Sequence, residues 1–173
     1  VPITHQDDET RMRVSLPADT LQRFYVFNVD DVPTVPVIAP YGPGDWDLIR
    51  NTTLGADHLI IGPQKFSSPS LPLIDHRGNS LYVNLESIYR EFSGANEDPV
   101  AIRHFLQWTQ ENWSQKPSTV LFMGDADYDY RNITGQSKMQ VPTIEVGTNY
   151  SHATDDRMVS FNGIIPEMAT GRF

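Results

Sequence analysis

The pattern of apolar positions along the chain becomes regular only after residue 55. Residues 57–62 and 120–123 each hold a continuous apolar run that stops at or just before a glycine. Such short runs are typical of strands buried on both faces, which is how strands of a parallel sheet are placed. Residues 81–84 and 141–146 also have the composition of strands, so this part of the chain offers four candidate strands.

Between the candidate strands, apolar residues recur at helical spacing. Residues 85–92 place their large apolar side chains on one face of a short helix. A longer helix is expected to begin after Asp98, a favourable N-cap, with Pro99 at its first position, and to end near residue 115. Residues 66–77 are expected to be a crossover helix, although two prolines interrupt the pattern.

The alternation of strand and helix predicts an α/β fold with a mostly parallel sheet of about four strands flanked by helices. Residues 56–173 are expected to form this domain. Residues 1–55 are expected to be an irregular N-terminal arm from an upstream region, because they hold one candidate strand at 23–28 and then a proline-rich passage.

Composition excludes several functions. The formal net charge of −9 gives no basic stripe for nucleic acid, and no apolar run is long enough to span a membrane. The sequence has no cysteine, so these residues contain no disulfide, no thiolate metal ligand and no cysteine nucleophile. The length of 173 residues is typical of a single domain with an appended segment.

The loop that follows residues 120–123 is the first candidate site, because ligands of open α/β sheets bind beyond the carboxyl ends of strands. After Gly124, aspartates stand at alternate positions: Asp125, Asp127 and Asp129. They are interpreted as a calcium site, as turn-capping carboxylates, or as an interface loop together with Tyr128 and Tyr130.

A rival interpretation concerns Asp125 and Asp127 alone. An Asp-x-Asp after a buried strand is typical of a phosphatase nucleophile loop, in which a carboxylate attacks phosphate and both bind magnesium. Tyr128 does not fit the residues that usually follow that motif.

Three residues nearer the C-terminus are also candidates. Asp155 and Asp156 are interpreted as metal ligands, as hydrogen-bond anchors for the loop at 147–154, or as a solvated or capping pair. Arg172 is expected to pair with Asp125 or Asp129 across the strand ends.

Seven short motifs occur in the same order as in the gingipain-type cysteine peptidases. They are ADHLII at 56–61, IYREFSG at 88–94, DPVAIRHFL at 98–106, GDADYDYRN at 124–132, VPT at 141–143, DD at 155–156 and GR at 171–172. The chain therefore resembles that family, which includes the surface sortase of the type IX secretion system. It departs from the family at the proline-broken crossover and at Asp127, where a small polar residue is usual.

The resemblance implies a caspase-like, flavodoxin-like half domain, namely the non-catalytic N-terminal subdomain of a peptidase. The family's catalytic histidine and cysteine follow the GR strand in a second subdomain, so no catalytic residue is assigned here. The implied partners are that subdomain and a polypeptide substrate, and the implied location is secreted or on the bacterial surface. The alternative is a non-catalytic, cation-binding surface scaffold.

Overall fold

The computed structural model describes residues 3–6, 9–12, 28, 30, 32, 49–127, 129–147 and 152–173. The chain divides into two compact units, Val1–Pro40 and Tyr41–Phe173. The first contains an antiparallel hairpin of β1 (Ile3–Gln6) and β2 (Glu9–Met12), in a polar tract that predicted no element. The rest of the strand expected at 23–28 and the proline-rich passage lie outside the described residues, apart from residues 28 and 32.

The second unit contains six described strands and three α-helices. The strands are β3 (His58–Gly62), β4 (Ser80–Asn84), β5 (Thr119–Phe122), β6 (Ile144–Val146), β7 (His152–Thr154) and β8 (Ala169–Arg172). The helices are α1 (Leu71–Arg77), α2 (Leu85–Ser93) and α3 (Pro99–Asn112), with short 3-10 helices at Gln64–Phe66, Ser68–Ser70 and Asp156–Met158. Among the described residues, no helix combines the length and the apolar character needed to cross a membrane.

Four strands form one parallel sheet in the order β4-β3-β5-β8. This confirms the expected four-stranded parallel sheet with flanking helices. The strand expected at 141–146 is shorter and lies elsewhere, because β6 pairs antiparallel with β7 in a separate two-stranded sheet. Residues 141–142 are not extended along a partner strand, since their carbonyls accept bonds from the Arg172 side chain.

The two prolines of the first crossover do not prevent helical structure. Pro69 and Pro72 occupy first or second positions of the second 3-10 helix and of α1, where a missing N–H costs no helical bond. The expected helix at 66–77 is therefore divided into shorter pieces. The longer helix begins as predicted, with the Asp98 side chain accepting from the Val100 N–H at 2.8 Å, but it ends at Asn112.

The core lies on the sheet face that α2 and α3 cover. Strand residues on this face include Leu59, Ile61, Val120 and Phe122, and they pack with Phe105 and its neighbours on the two helices. The 3-10 helix at Asp156–Met158 closes the same face, because Met158 and Val159 are fully buried. Residues 49–55, expected above to belong to the arm, lie within this second unit, where Trp113 Nε1 donates to the Ile49 carbonyl.

The opposite face of the sheet, called here the α1 face, carries His58, Ile60, Thr119, Leu121 and Gly171 by strand alternation and register. Its only described helix is α1, which packs beside β4. Ile60 is buried, whereas Leu121 is half-buried and Gly171 is exposed. The cover over this face therefore decreases from the middle of the sheet towards β8.

Candidate functional site

The carboxyl end of β5 is fixed by backbone contacts at Gly124. Its φ of +142° is a conformation that favours glycine, and a Cβ at this position would lie 2.7 Å from the Gln140 Cβ. The Gly124 N–H donates to the Phe173 carbonyl at 3.1 Å, which ties the exit of β5 to the end of β8. The chain can leave the strand along this path only if residue 124 has no side chain.

The acidic loop is closed at its base by Asp125. The Asp125 carbonyl accepts from the N–H groups of Gln140 and Val141 at 2.9 and 3.1 Å. The Asp125 carboxylate accepts from the N–H of Ala126, which follows it directly. The two ends of the acidic loop, residues 125–141, therefore meet through backbone bonds. The Asp125 carboxylate bonds to the next residue of the loop.

The other two loop aspartates also bind nearby backbone groups. Asp127 accepts from the Asp129 N–H at 2.9 Å. Asp129 accepts from the N–H groups of Ile133 and Thr134, both at 2.8 Å, and from the Thr134 hydroxyl at 2.7 Å. The Thr134 N–H, the Thr134 hydroxyl and then the Ile133 N–H lower the pKa of the Asp129 carboxyl.

The three aspartates do not converge on a shared point. In the described ranges, no three Asp, Glu, His or Cys side chains are placed so that they could hold a metal ion. Each of the three carboxylates instead accepts hydrogen bonds from its own stretch of the loop. Calcium binding stays a prediction.

The Arg172 side chain contacts several segments at this end of the sheet. Its guanidinium makes a two-pronged contact with Asp155, with Nε to Oδ2 at 2.9 Å and Nη2 to Oδ1 at 2.6 Å. Nη1 donates to the carbonyls of Gly124 and Val141, each at 2.8 Å. The planar fork of arginine suits this set of acceptors, because one cation reaches the strand exit, the loop end and Asp155 together.

The expected pairing of Arg172 with Asp125 or Asp129 is wrong, because its carboxylate partner is Asp155. Asp155 also accepts from the Thr143 hydroxyl at 2.9 Å. Asp155 is therefore a hydrogen-bond anchor for Thr143 and Arg172, and not for the loop at 147–154 among the residues that the structure describes. Asp156 plays a smaller part, with its carbonyl accepting from the Ser160 hydroxyl at 2.7 Å.

The tyrosines of the loop are less informative. Tyr130 is half-buried and lies under the Arg131 guanidinium, 5.4 Å from the ring centroid. Tyr128 lies outside the described residues. The contacts of Arg172 with Gly124, Val141, Pro142 and Asp155, together with the Thr143–Asp155 bond, are called here the Arg172 clamp. The sequence did not predict that Val141, Pro142 and Thr143 take part in it, although the VPT motif marked their position.

A cavity of about 280 Å³ opens near these loops, beside the N-terminal half of α2. Its lining residues are Pro63, Lys65, Leu85, Glu86, Tyr89, Glu97, Met139 and Gln140. The Tyr89 hydroxyl is buried and has no hydrogen-bond partner among the residues that the structure describes. Burial, followed by the charges of Glu97, Glu86 and Asp98, raises the pKa of this phenol, so it stays protonated.

Comparison with known proteins places this geometry in a family. Residues 51–173 match the profile of Peptidase family C25. The chain is also similar to a solved structure described as dimeric latent PorU from Porphyromonas gingivalis, with a TM-score of 0.55 and 23% identity. That match covers 68% of this chain and 14% of the PorU chain, so the likeness shows the fold.

No curated protein matches the chain significantly. The PorU likeness agrees with an α/β caspase-like fold for the four-stranded sheet and its helices. The family match begins before β3 and continues through β8, and so includes the whole parallel sheet and the Arg172 clamp. Since that match spans well over half of the chain, the protein belongs to Peptidase family C25, the gingipain family.

Proposed function

We propose that these residues form the supporting, non-catalytic subdomain of a gingipain-like cysteine peptidase. One observation carries the proposal: a chain that matches Peptidase family C25 from residue 51 to residue 173 contains no cysteine. In a cysteine peptidase, a thiolate attacks the peptide carbonyl after a histidine takes its proton. The Cys/His dyad would then be supplied by a catalytic subdomain outside these residues.

The role of this subdomain would be to support the loops at the carboxyl ends of the strands. The Arg172 clamp joins the exit of β5, the end of the acidic loop and Asp155. A rigid edge of this kind is what a neighbouring subdomain needs in order to dock with a defined geometry. Alone, these residues would bind no substrate covalently and would hydrolyse no peptide bond.

The proposal extends to the cellular location. The gingipain-type peptidases that the chain resembles are secreted or held on the bacterial surface, and we assign the parent protein to the same compartment. Fractionation of the native organism tests this, because export predicts the protein in the medium or on the outer surface. Recovery in the cytoplasm alone would contradict it.

The enzymatic proposal is tested on the parent polypeptide. A version extended by about one further domain, on the order of 150 residues, would be treated with a thiol-reactive peptidyl probe with and without calcium. We expect labelling of one cysteine that is lost when that cysteine is replaced by alanine. The 173-residue chain, tested beside it, should release no peptide from a protein substrate.

Other results would change the conclusion. If a folded extended protein keeps its cysteine but is not labelled, before or after limited proteolysis, the non-catalytic surface scaffold is favoured. If the extension has no cysteine, peptidase activity by this mechanism is excluded and the shared fold alone remains.

A further inference from the structure

A groove of about 280 Å³ lies on the α1 face, between α1 and β8. Its floor combines the apolar Ile60 and Leu121 with the polar His58 and Thr119, whose side chains are hydrogen-bonded to each other at 2.6 Å. Its wall on one side is formed by Leu73 and Arg77 of α1. Towards β8 the groove is lined by small residues, Ala169 and Gly171. The groove thus has a mixed apolar and polar floor, a cationic rim at Arg77 and small side chains along β8.

The exposure of the groove shows that this face is incompletely covered. Ile60, near α1, is 2% exposed, whereas Ala169 and Gly171 on β8 are exposed. Phe173, which follows on the same face by strand alternation, is 86% exposed. Parallel sheets are normally covered on both faces, so the part of this sheet near β8 lacks a covering layer among the described residues.

The connections of the sheet indicate where such a layer would come from. The crossover from β3 to β4 runs towards the β4 edge of the sheet and lies on the α1 face. The crossovers from β4 to β5 and from β5 to β8 run the other way on the opposite face, as connections of one hand require. A further strand beyond β8 would again place its crossover on the α2–α3 face, and would leave the groove open.

The dimensions and charge of the groove favour a helix as its occupant. An engineered cavity of about 150 Å³ holds a benzene ring, so this groove accommodates roughly two large apolar side chains. The small side chains of Ala169 and Gly171 would let a helix approach the sheet closely. Arg77 has no ion-pair partner in the described ranges, so an occupant with a carboxylate at that rim would be complementary.

We propose that this groove binds one amphipathic helix carried by the catalytic subdomain of the same peptidase. The proposal rests on the proposed function and names the surface through which the two subdomains join. The helix presents two large apolar side chains to the half-buried Leu73 and Leu121 and one carboxylate to Arg77. The length of the PorU chain supports an occupant from the same polypeptide, because the match covers 14% of it.

Single-cysteine labelling tests the proposal, because the 173-residue chain has no cysteine of its own. Ala169→Cys reports on the groove, and Glu111→Cys, on the exposed side of α3, is the matched control. Both are made in the 173-residue chain and in the extended parent, whose native cysteines are replaced by serine. Maleimide labelling of Ala169→Cys should slow at least tenfold in the parent, while labelling of Glu111→Cys stays unchanged.

Gly171→Cys is a second groove reporter if Ala169→Cys does not fold. The side chain fits there, because an added Cβ would meet only Leu121 Cδ1 at 3.6 Å. Equal labelling rates at the groove in the short chain and the folded parent would overturn the proposal. Protection already present in the short chain, together with a dimeric mass, would also overturn it and identify a second copy as the occupant.

A charge reversal at Arg77 tests whether the occupant carries a carboxylate that contacts this residue. Arg77→Glu should lower the Tm of the parent by several degrees more than that of the 173-residue chain. Lys65→Glu, another exposed basic residue, should affect both proteins equally. Equal effects of Arg77→Glu in both proteins would refute the carboxylate contact. The peptidyl probe is a separate readout: a labelled dyad with an unprotected groove would leave the peptidase proposal intact and reject this one.

Discussion

The two faces of the parallel sheet differ in how completely they are covered. On the α2–α3 face, Phe105, Leu106 and Phe122 are all 0% exposed, and aromatic rings of the helices meet edge to face. On the α1 face, a seven-residue helix covers one side and Leu121 remains half-buried. The comparison teaches that stability is concentrated on one face, which leaves the other face available for contact with another element.

The largest expected difference between the faces comes from a matched pair of leucines. Leu106→Ala should lower the free energy of unfolding by about 2–5 kcal/mol, because it opens a cavity in a fully buried core. Leu121→Ala should cost less than about 2 kcal/mol, because its side chain is partly in water already. Equilibrium denaturation in urea measures both. Equal losses would mean that the α1 face is as well packed as the other.

The Arg172 clamp, which lies on the α2–α3 face beside Phe122, is expected to rank second. Arg172→Ala removes the guanidinium that donates to Asp155 and to the carbonyls of Gly124 and Val141, while the Thr143 hydroxyl still donates to Asp155. The expected cost is about 2–3 kcal/mol, because both side chains of the ion pair are about one-fifth exposed. The stability of Arg172→Lys should lie between those of Arg172→Ala and the wild type, since an ammonium keeps the charge but cannot form the two-pronged contact. The measurement is again the free energy of unfolding.

A second pair of variants separates the observed clamp from the pairing that the sequence suggested. Asp155→Asn should destabilise the protein clearly, because it weakens the two-pronged contact. Asp125→Asn should have a smaller effect, because within the described part of the chain that carboxylate accepts from the Ala126 N–H alone. If Asp125→Asn proved the more damaging change, the assignment of the clamp would be wrong.

The helices on the covered face should show a smaller, local effect at their caps. Asp98→Ala removes the bond to the Val100 N–H and should cost about 1 kcal/mol, whereas Asp98→Asn should be nearly neutral. The α1 helix has no side-chain cap bond, so it offers no equivalent. Thermal unfolding monitored by far-ultraviolet circular dichroism would detect the difference. An equal loss in the asparagine variant would contradict the capping role.

The smallest expected effect is a pH dependence at Asp129. Its pKa is lowered in the folded protein, so its charged form stabilises the fold above the unfolded pKa of about 3.9, and this stabilisation is lost as the pH falls through the lowered value. Asp129→Asn should therefore flatten the fall in Tm at acidic pH. Thr134→Val, which removes one donor, should flatten it less. An unchanged acid profile in Asp129→Asn would exclude this contribution.

The runs at 57–62, 81–84 and 120–123 correspond to β3, β4 and β5 within one residue. Of these three strands only β3 is buried on both faces, since β5 alternates between half-buried and buried residues and Val83 is the buried residue of β4. The sequence did not predict β8 from its composition, because Ala169 and Gly171 face an open groove and carry no apolar signal. Only the GR motif of the resembled family marked that strand.

The clamp could be predicted in part. Composition showed an arginine at one strand end and aspartates at several loops, and all of these belong to the same edge of the sheet. Which aspartate contacts Arg172 depends on how the residues between 143 and 155 fold. Local periodicity carries no information about the resulting distance between an aspartate and Arg172. The hairpin at β1 and β2 was missed for a related reason, since each four-residue strand holds a single apolar residue and gives no alternation to detect.

The backbone bonds of Asp125 have a consequence for how the protein tolerates change. Because its carbonyl joins the N–H groups of Gln140 and Val141, the segment between them begins and ends at one point on the sheet edge. Lengthening a flexible loop whose ends are already held together costs little, about 0.6 kcal/mol for each doubling. Insertions, reporter peptides or natural variation in residues 130–138 should therefore leave the sheet undisturbed, and this loop can diverge while the fold beneath it stays the same.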